Sequence, residues 1–274
     1  MKKNAVTAVI IAKNEAQMLA GCLVSLEWCD SVLVIDNGST DETVTIAEQM
    51  GAKVVHMKHD SFDRLRTDAL KFVQTPWVFY IDADERVTPQ LAQSIAVHLE
   101  TSIPPTNAFS VIRDNYYYGH KMSWGGWQND VLVRIFRVQT LEKWQGKVHE
   151  SPVFSGQVVQ IPLPLIHFSH RNTTDGLQKT IVWTKIEAEL LAAEITTPVT
   201  LWVILRKACM EFWRRAIVFK GWRDGMPGLV EAVVQAINKA LIYIQVWELQ
   251  QKPSLSDIYQ ELDDAIQQSW RVKQ

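Results

Sequence analysis

Four short apolar runs, rich in β-branched residues, punctuate the first hundred positions: Val6 to Ala12, Ser31 to Asp36, Ala52 to Met57 and Trp77 to Asp82. Strands buried on both faces of a parallel sheet read this way, because alternation is expected only where one face meets water. Between them the period lengthens. Glu15 to Leu26 places Met18, Leu19, Cys22 and Leu26 at helical spacing. Thr43 to Met50 follows Ser39-Thr40-Asp41, a run of N-cap residue types, and stops at Gly51 as a helix C-terminus does. Phe62 to Val73 ends before Pro76, and Thr88-Pro89 opens a fourth helix with a capping threonine and proline at the first helical position. The order β-α-β-α-β-α-β predicts an α/β fold: an open, mostly parallel sheet with flanking helices and right-handed crossovers. Ligands of such sheets sit at the carboxyl ends of the strands.

Beyond Ile103-Pro104-Pro105 the pattern changes. Phe109 to Arg113, Val131 to Arg137 and Val158 to Ile161 read as strands, the last running into the proline-rich Ile161 to Ile166. Asn115 to Trp127, aromatic and glycine-rich, reads as a loop over a site. From Thr173 onward four helices are predicted: Asp175 to Glu194, Val199 to Lys220, Leu229 to Gln250 and Ser256 to Val272. The expected organisation is a catalytic domain over 1–172 and a helical region over 173–274. The apolar start is too short for a secretory signal and reads as the first strand. No uncharged stretch of about 18 apolar residues stands out, so no transmembrane helix is expected.

Bulk properties narrow the classes. The 274 residues are 47% hydrophobic, and their net charge of −2 argues against a general nucleic-acid binder. Three scattered cysteines, Cys22, Cys29 and Cys209, form no disulfide framework or zinc spacing, which suits a reducing compartment. There are eleven tryptophans, seven of them beyond residue 140, and this weights the C-terminal half toward an interface.

The sharpest chemical signal is Ile81-Asp82-Ala83-Asp84-Glu85, directly after an apolar strand. Two carboxylates one residue apart at a strand end can hold a hard divalent cation that keeps positions open for phosphate oxygens; an acidic turn capping the next helix is the plainer alternative. Asp36 ends the second strand and leads into Asn37-Gly38-Ser39-Thr40-Asp41, while Asn14-Glu15 follows the first strand. Three acidic or amide clusters therefore meet at one sheet edge. No Gly-x-Gly-x-x-Gly and no Walker A loop follows the first strand, which disfavours dinucleotide oxidoreductases and P-loop enzymes.

Taken together, Val9 to Glu15, Val34 to Asp41 and Asp82-Ala83-Asp84 resemble the inverting family 2 glycosyltransferases with the GT-A (Rossmann-like) fold. The resemblance extends to the lipopolysaccharide-core β-glucosyltransferase subgroup through Val133 to Arg137, Trp144 to Glu150 and Gly221-Trp222-Arg223-Asp224-Gly225. It implies a metal-dependent hexosyltransferase. A sugar, glucose or another hexose, would move from a nucleotide sugar, in the first instance UDP-linked, to a bacterial glycolipid such as lipopolysaccharide inner core. The same chemistry on a polyprenyl phosphate or another glycan, or an inactive membrane-associated scaffold, are the alternatives.

The resemblance also implies roles. Asn14, Glu15 and Asp36 would contact the nucleotide, and Asp82 the ribose or the metal. Asp84 would bind the Mg²⁺ or Mn²⁺ bridging the diphosphate. Arg66 is a weaker candidate for the diphosphate, a surface arginine being the alternative. Inversion needs a base for the acceptor hydroxyl. Glu150 is the first candidate, with His149 orienting it, and Asp130 the second. His167 and His170 could complete a metal site, but stay outside this set as structural histidines.

In Val199 to Lys220, Leu201, Leu205, Ala208, Phe212, Ala216 and Phe219 share one helical face, with Lys207, Glu211, Arg214 and Arg215 on another. Basic residues and tryptophans on such helices suit the lipid headgroup region. The expectation is a cytoplasmic protein, peripheral at the inner face of the membrane.

Overall fold

The computed structural model describes residues 5–59, 61–146 and 150–271. Two compact units emerge, residues 1–121 with 127–169, and 122–126 with 170–274.

The first unit is built on β1 (Val6–Ala12), α1 (Ala16–Val24), β2 (Ser31–Asp36), α2 (Thr43–Gln49), β3 (Lys53–His56), α3 (Phe62–Ala69), β4 (Trp77–Tyr80), β5 (Glu85–Arg86) and α4 (Pro89–Thr101). There follow β6 (Thr106–Tyr117), β7 (His120–Lys121), β8 (Asp130–Arg137), β9 (Leu141–Gln145), β10 (Ser151–Phe154) and β11 (Gln157–His170). Among the described residues the main sheet runs β3-β2-β1-β4-β8-β6-β11-β5, with β7 pairing β6. The pairs β3–β2, β2–β1 and β1–β4 are parallel, whereas β4–β8, β8–β6 and β11–β5 are antiparallel. The parallel half carries the predicted βα units, and every residue of β4 is buried. The core on one face gathers Val6, Ala8, Ile10, Leu19, Phe79, Ile81, Leu91, Ile95 and Phe109. A second cluster, Val9, Leu33, Ile35, Leu65, Tyr80, Phe136 and Trp144, fills the other face. Cys22 and Cys29 are buried free thiols.

Three expectations need correction. The aromatic stretch after Asn115 is not one loop: β6 continues to Tyr117 and returns as β7 through a two-residue turn. Tyr118 and Gly119 both take positive φ there, 52° and 76°, the backbone of a tight hairpin. A small antiparallel hairpin, β9–β10, appears where no strand was expected. In β9 only Leu141 and Trp144 are buried, too sparse for a period-two signal. The strand predicted over Val158–Ile161 extends to His170, through Pro162 and Pro164. Those prolines lie two apart, so their missing N–H groups fall on one edge, and the ladder to the other edge survives.

The second unit consists of α5 (Thr173–Glu194), α6 (Leu201–Trp213), α7 (Gly225–Leu249) and α8 (Leu255–Arg271). Asn172 caps α5 by accepting from the Asp175 amide, and Thr200 caps α6 through the Val203 amide. A core of Ala188, Val199, Ile242, Tyr243 and Val246 joins α5, α6 and α7. The helix predicted over Val199–Lys220 is not one α-helix: Arg214–Val218 forms a π-helical turn, and Gly221–Asp224 a 3₁₀ turn. Glycine is required in that corner, because a Cβ on Gly221 would lie 2.7 Å from the Arg215 carbonyl oxygen and one on Gly228 2.0 Å from that of Gly221. By length and composition Gly221–Leu249 is apolar enough to cross a membrane. Its packing against α5 and α6, and the ion pair of its buried Glu231 with His170 at 3.0 Å, make it the central helix of this bundle.

Candidate active site

The carboxyl ends of β1 and β2 are knitted into one floor. The register sets Ala12 beside Asp36 and Asp36 beside His56. Asp36 is almost fully buried; Oδ1 accepts from the Ser39 amide at 3.0 Å and Oδ2 pairs with His56 Nδ1 at 3.0 Å. Burial alone would raise this carboxyl, but the Ser39 and His56 hydrogen bonds outweigh it and hold the group below the usual aspartate value. Asn14, at positive φ, donates its amide to Ser39 Oγ and accepts from the Thr40 amide at 2.7 Å. Glu15 donates its amide to Thr43 Oγ1, and Ala16 donates to Asp41. The two turns thus fix each other, leaving Gly38 with open space above it.

The second part follows β4, which neighbours β1, so Asp36 and Asp82 are two strands apart, on the order of 10 Å. Asp82 faces two guanidinium groups: Arg66 Nη2 at 3.2 Å and Arg134 Nη2 at 2.7 Å. Burial raises its carboxyl, yet Arg134 and Arg66 pull it far below the ordinary range. Arg66 is set by its stack over Trp144, 4.8 Å from the ring centroid, and Trp144 is tied to α3 through Thr67. The otherwise unpredicted β9 therefore aims a sequence-predicted arginine at Asp82.

Behind Asp82 lies Glu85, fully buried. It accepts from the Asp82 amide at 2.9 Å and from Arg134 at 2.7 Å. Burial pushes the Glu85 carboxyl up, against the pull of Arg134. Arg113 lies 3.5 Å from Glu85 and clamps Asp130 at 2.7 Å; Asn115 adds a hydrogen bond to the same Asp130 oxygen at 3.0 Å. Burial would raise Asp130, but Arg113 and Asn115 hold it below the usual value. A low, doubly engaged carboxylate is a weak proton acceptor near neutrality.

Asp84 points elsewhere. Its Oδ2 lies 3.5 Å from His167 Nε2, while its carbonyl accepts from the Phe168 amide. The other ring nitrogen of His167, Nδ1, meets Asn115 Oδ1 at 2.6 Å, which leaves Nε2 aimed at Asp84. Residue type and spacing do not single out Glu85, Arg113, Arg134 or Asn115, and a lone histidine such as His167 reads as structural. Arg134 stood inside a motif, yet nothing in a strand pattern reports an inward arginine.

Asp82 and Asp84, read together as a metal pair, thus face different partners. Among the described residues no group of three or more His, Cys, Asp or Glu side chains could cage an ion. One carboxylate and one imidazole, Asp84 and His167, instead converge. Glu150, half-buried, immediately precedes β10; His149 lies outside the described residues. His170 belongs to the second unit and pairs with Glu231.

Known proteins resemble this chain. LpsC of Rhizobium meliloti strain 1021, a lipopolysaccharide core biosynthesis glycosyltransferase, is 24% identical over 266 residues, covering 92% of this chain and 96% of LpsC. A TPR repeat-containing protein of Synechococcus elongatus is 30% identical over 147 residues; the match covers 53% of this chain, which spans only about a third (34%) of that relative. The crystal structure of Mycobacterium tuberculosis glucosyl-3-phosphoglycerate synthase with Mn²⁺, UDP and glucosyl-3-phosphoglycerate superposes with a TM-score of 0.44 at 16% identity, over 66% of this chain and 77% of that one. Residues 7–156, which hold every candidate named above except His167, match the profile of glycosyl transferase family 2. The chain belongs to glycosyl transferase family 2.

Proposed function

We propose that the protein transfers a hexose, with inversion, from a UDP-sugar to a bacterial glycolipid of the lipopolysaccharide-core type. The observation that carries this is the approach of Asp84 to His167 beside an aspartate braced by two arginines. Asp84 and His167 would hold Mg²⁺ or Mn²⁺, which supplies charge neutralisation for the departing diphosphate. The Asn14–Asp36 floor receives the nucleoside. Asp82 is placed to accept from the ribose while it fixes Arg66 and Arg134, and Arg66 lends positive charge toward the diphosphate.

In this reading Glu150 takes the proton of the acceptor hydroxyl. The acceptor oxygen forms a bond to the anomeric carbon as the carbon–oxygen bond to the diphosphate breaks. Asp130, held low by Arg113, ranks second as base and first as a positioning group. The acceptor class is supported by the near full-length likeness to LpsC. Such an acceptor is lipid-anchored, so we place the protein at the cytoplasmic membrane face as a peripheral one.

The test is sugar transfer with Mn²⁺, offering UDP-hexoses against a truncated lipopolysaccharide core and a polyprenyl phosphate. Product on the core supports the proposal. Product on the polyprenyl phosphate alone moves the acceptor and keeps the chemistry. Absence of both transfer and nucleotide binding refutes the enzymatic reading.

A further inference from the structure

An ordinary surface helix turns its apolar stripe inward. In α6 apolar residues also crowd the outer side. Val203, Ile204, Lys207, Ala208 and Glu211 face the bundle, and Glu211 is buried between Arg214 at 2.7 Å and Arg215 at 2.8 Å. Leu201, Trp202, Leu205, Met210 and Trp213 face out, Trp202 at 71% exposure and Trp213 at 60%. The π-helical turn continues the outward face with Ile217 and Val218, and the corner beyond it adds Trp222 and Met226. An apolar surface this continuous marks a contact with something other than water.

Charge identifies the partner. Residues 201–226 contain six cations, Arg206, Lys207, Arg214, Arg215, Lys220 and Arg223, and only two acids, although the whole chain carries −2. Both acids are buried, Glu211 beneath its arginines and Asp224 under the Ser123 and Trp124 amides. The outward charge is therefore positive. Arg206 and Arg214 line an open groove of about 810 Å³ together with Trp202, Met210, Trp213 and Tyr243. Arg223 lies over Trp124 and Trp222, at 4.7 and 5.5 Å from the ring centroids. Tryptophans among cations, on an apolar face, match the boundary between anionic headgroups and acyl chains.

We propose that the outer face of α6 and the following π turn and corner binds a bilayer surface containing anionic phospholipid. The helices lie along that surface rather than through it, since α7 is engaged by α5 and α6 within the bundle. The terminal α8 supplies a contrast within the chain. It too exposes an apolar stripe, Leu255, Ile258, Tyr259, Leu262, Ile266 and Trp270, but carries four acids against one arginine. An anionic surface repels it, so α8 is not part of this contact. The inference deepens the membrane placement proposed above and rests on it. Its readout uses neither donor nor acceptor, so the two readings fail separately.

The experiment is sedimentation of the full-length protein with sucrose-loaded vesicles, either phosphatidylcholine alone or phosphatidylcholine and phosphatidylglycerol in equal parts. Binding to the anionic vesicles only, weakening as salt rises, is the expected result. Each cation near the surface is worth about fivefold in partitioning, so Arg206→Ala with Arg223→Ala should lose on the order of tenfold or more. Trp202→Glu with Trp213→Glu should abolish binding with an unchanged melting temperature, and Leu262→Asp in α8 should leave it intact. Equal binding to neutral vesicles, no binding to either, or loss of binding through Leu262→Asp overturns the proposal. So does a dimer of the wild type that Trp202→Glu dissociates, since the face would then meet a second copy.

Discussion

The two units bury opposite things. Around β4 the first unit takes charge inside: Asp82, Glu85 and Asp130 against Arg66, Arg113 and Arg134. In the second unit α6 takes a glutamate inside and leaves tryptophans in the solvent. Each arrangement costs stability in isolation, the first through desolvated ions and the second through wetted apolar surface. The difference teaches what each region is shaped to meet. Prearranged charge suits a small, highly charged ligand, whereas an outward apolar face with cations suits an extended surface.

That division is open to attack. Asp84→Ala should have the largest effect, abolishing metal-dependent transfer while circular dichroism and vesicle binding stay at wild-type levels; retained turnover would take Asp84 out of the site. Glu150→Gln should keep nucleotide binding in a thermal-shift titration and lower kcat by about 10² to 10⁴-fold. A near-normal rate would hand the base role to Asp130.

Arg134→Met tests the buried network itself. It strands the fully buried Glu85 carboxylate and should cost about 3–5 kcal/mol in denaturant unfolding. A loss below about 1 kcal/mol would mean that the Asp82–Arg134–Glu85 chain holds nothing together.

The smallest effect concerns pH. Asp36, Asp82 and Asp130 are all held below the usual aspartate value. A carboxyl lowered by folding adds stability that is complete above its unfolded value of about 3.9 and is lost as pH falls through the folded value. The melting temperature should therefore be level from pH 8 to about 5 and decline below that. Asp130→Asn should lower the unfolding free energy on that plateau by about 1–2 kcal/mol and make the acid decline shallower. A decline already under way at pH 7 would mean that other groups govern it.

Much of the first unit was legible in the chain because a doubly covered parallel sheet writes itself as continuous apolar runs. The ranges of β1 and β2, the start of β4 at Trp77 and the Thr88 cap on α4 follow from residue type alone, while β4 stops at Tyr80, two residues short of its apolar run. The Asp82-Ala83-Asp84 triplet was legible too, but not the divergence of its two carboxylates, which depends on where β8 delivers Arg134 and β11 delivers His167. Those are pairings across 52 and 83 positions of sequence, and no local period encodes them. The hairpin β9–β10 escaped because Glu142, Lys143 and Gln145 leave it nearly polar. In α6, periodicity grouped Ala208 and Ala216 with Leu201, Leu205 and Phe212, and Arg214 with Lys207 and Glu211, whereas the two alanines turn inward and Arg214 outward; which side is covered depends on the side offered by α7.

The pentapeptide 122–126 lies between β7 and β8 of the first unit yet belongs with the second. The polypeptide consequently passes from one unit to the other three times, and no single cleavage separates them whole. A chain ended at residue 169 would keep Ser123 and Trp124 and discard Asp224, the carboxylate that binds their amides. Any exchange of tails between relatives, by recombination or by hand, must carry these five residues along with the helices they serve.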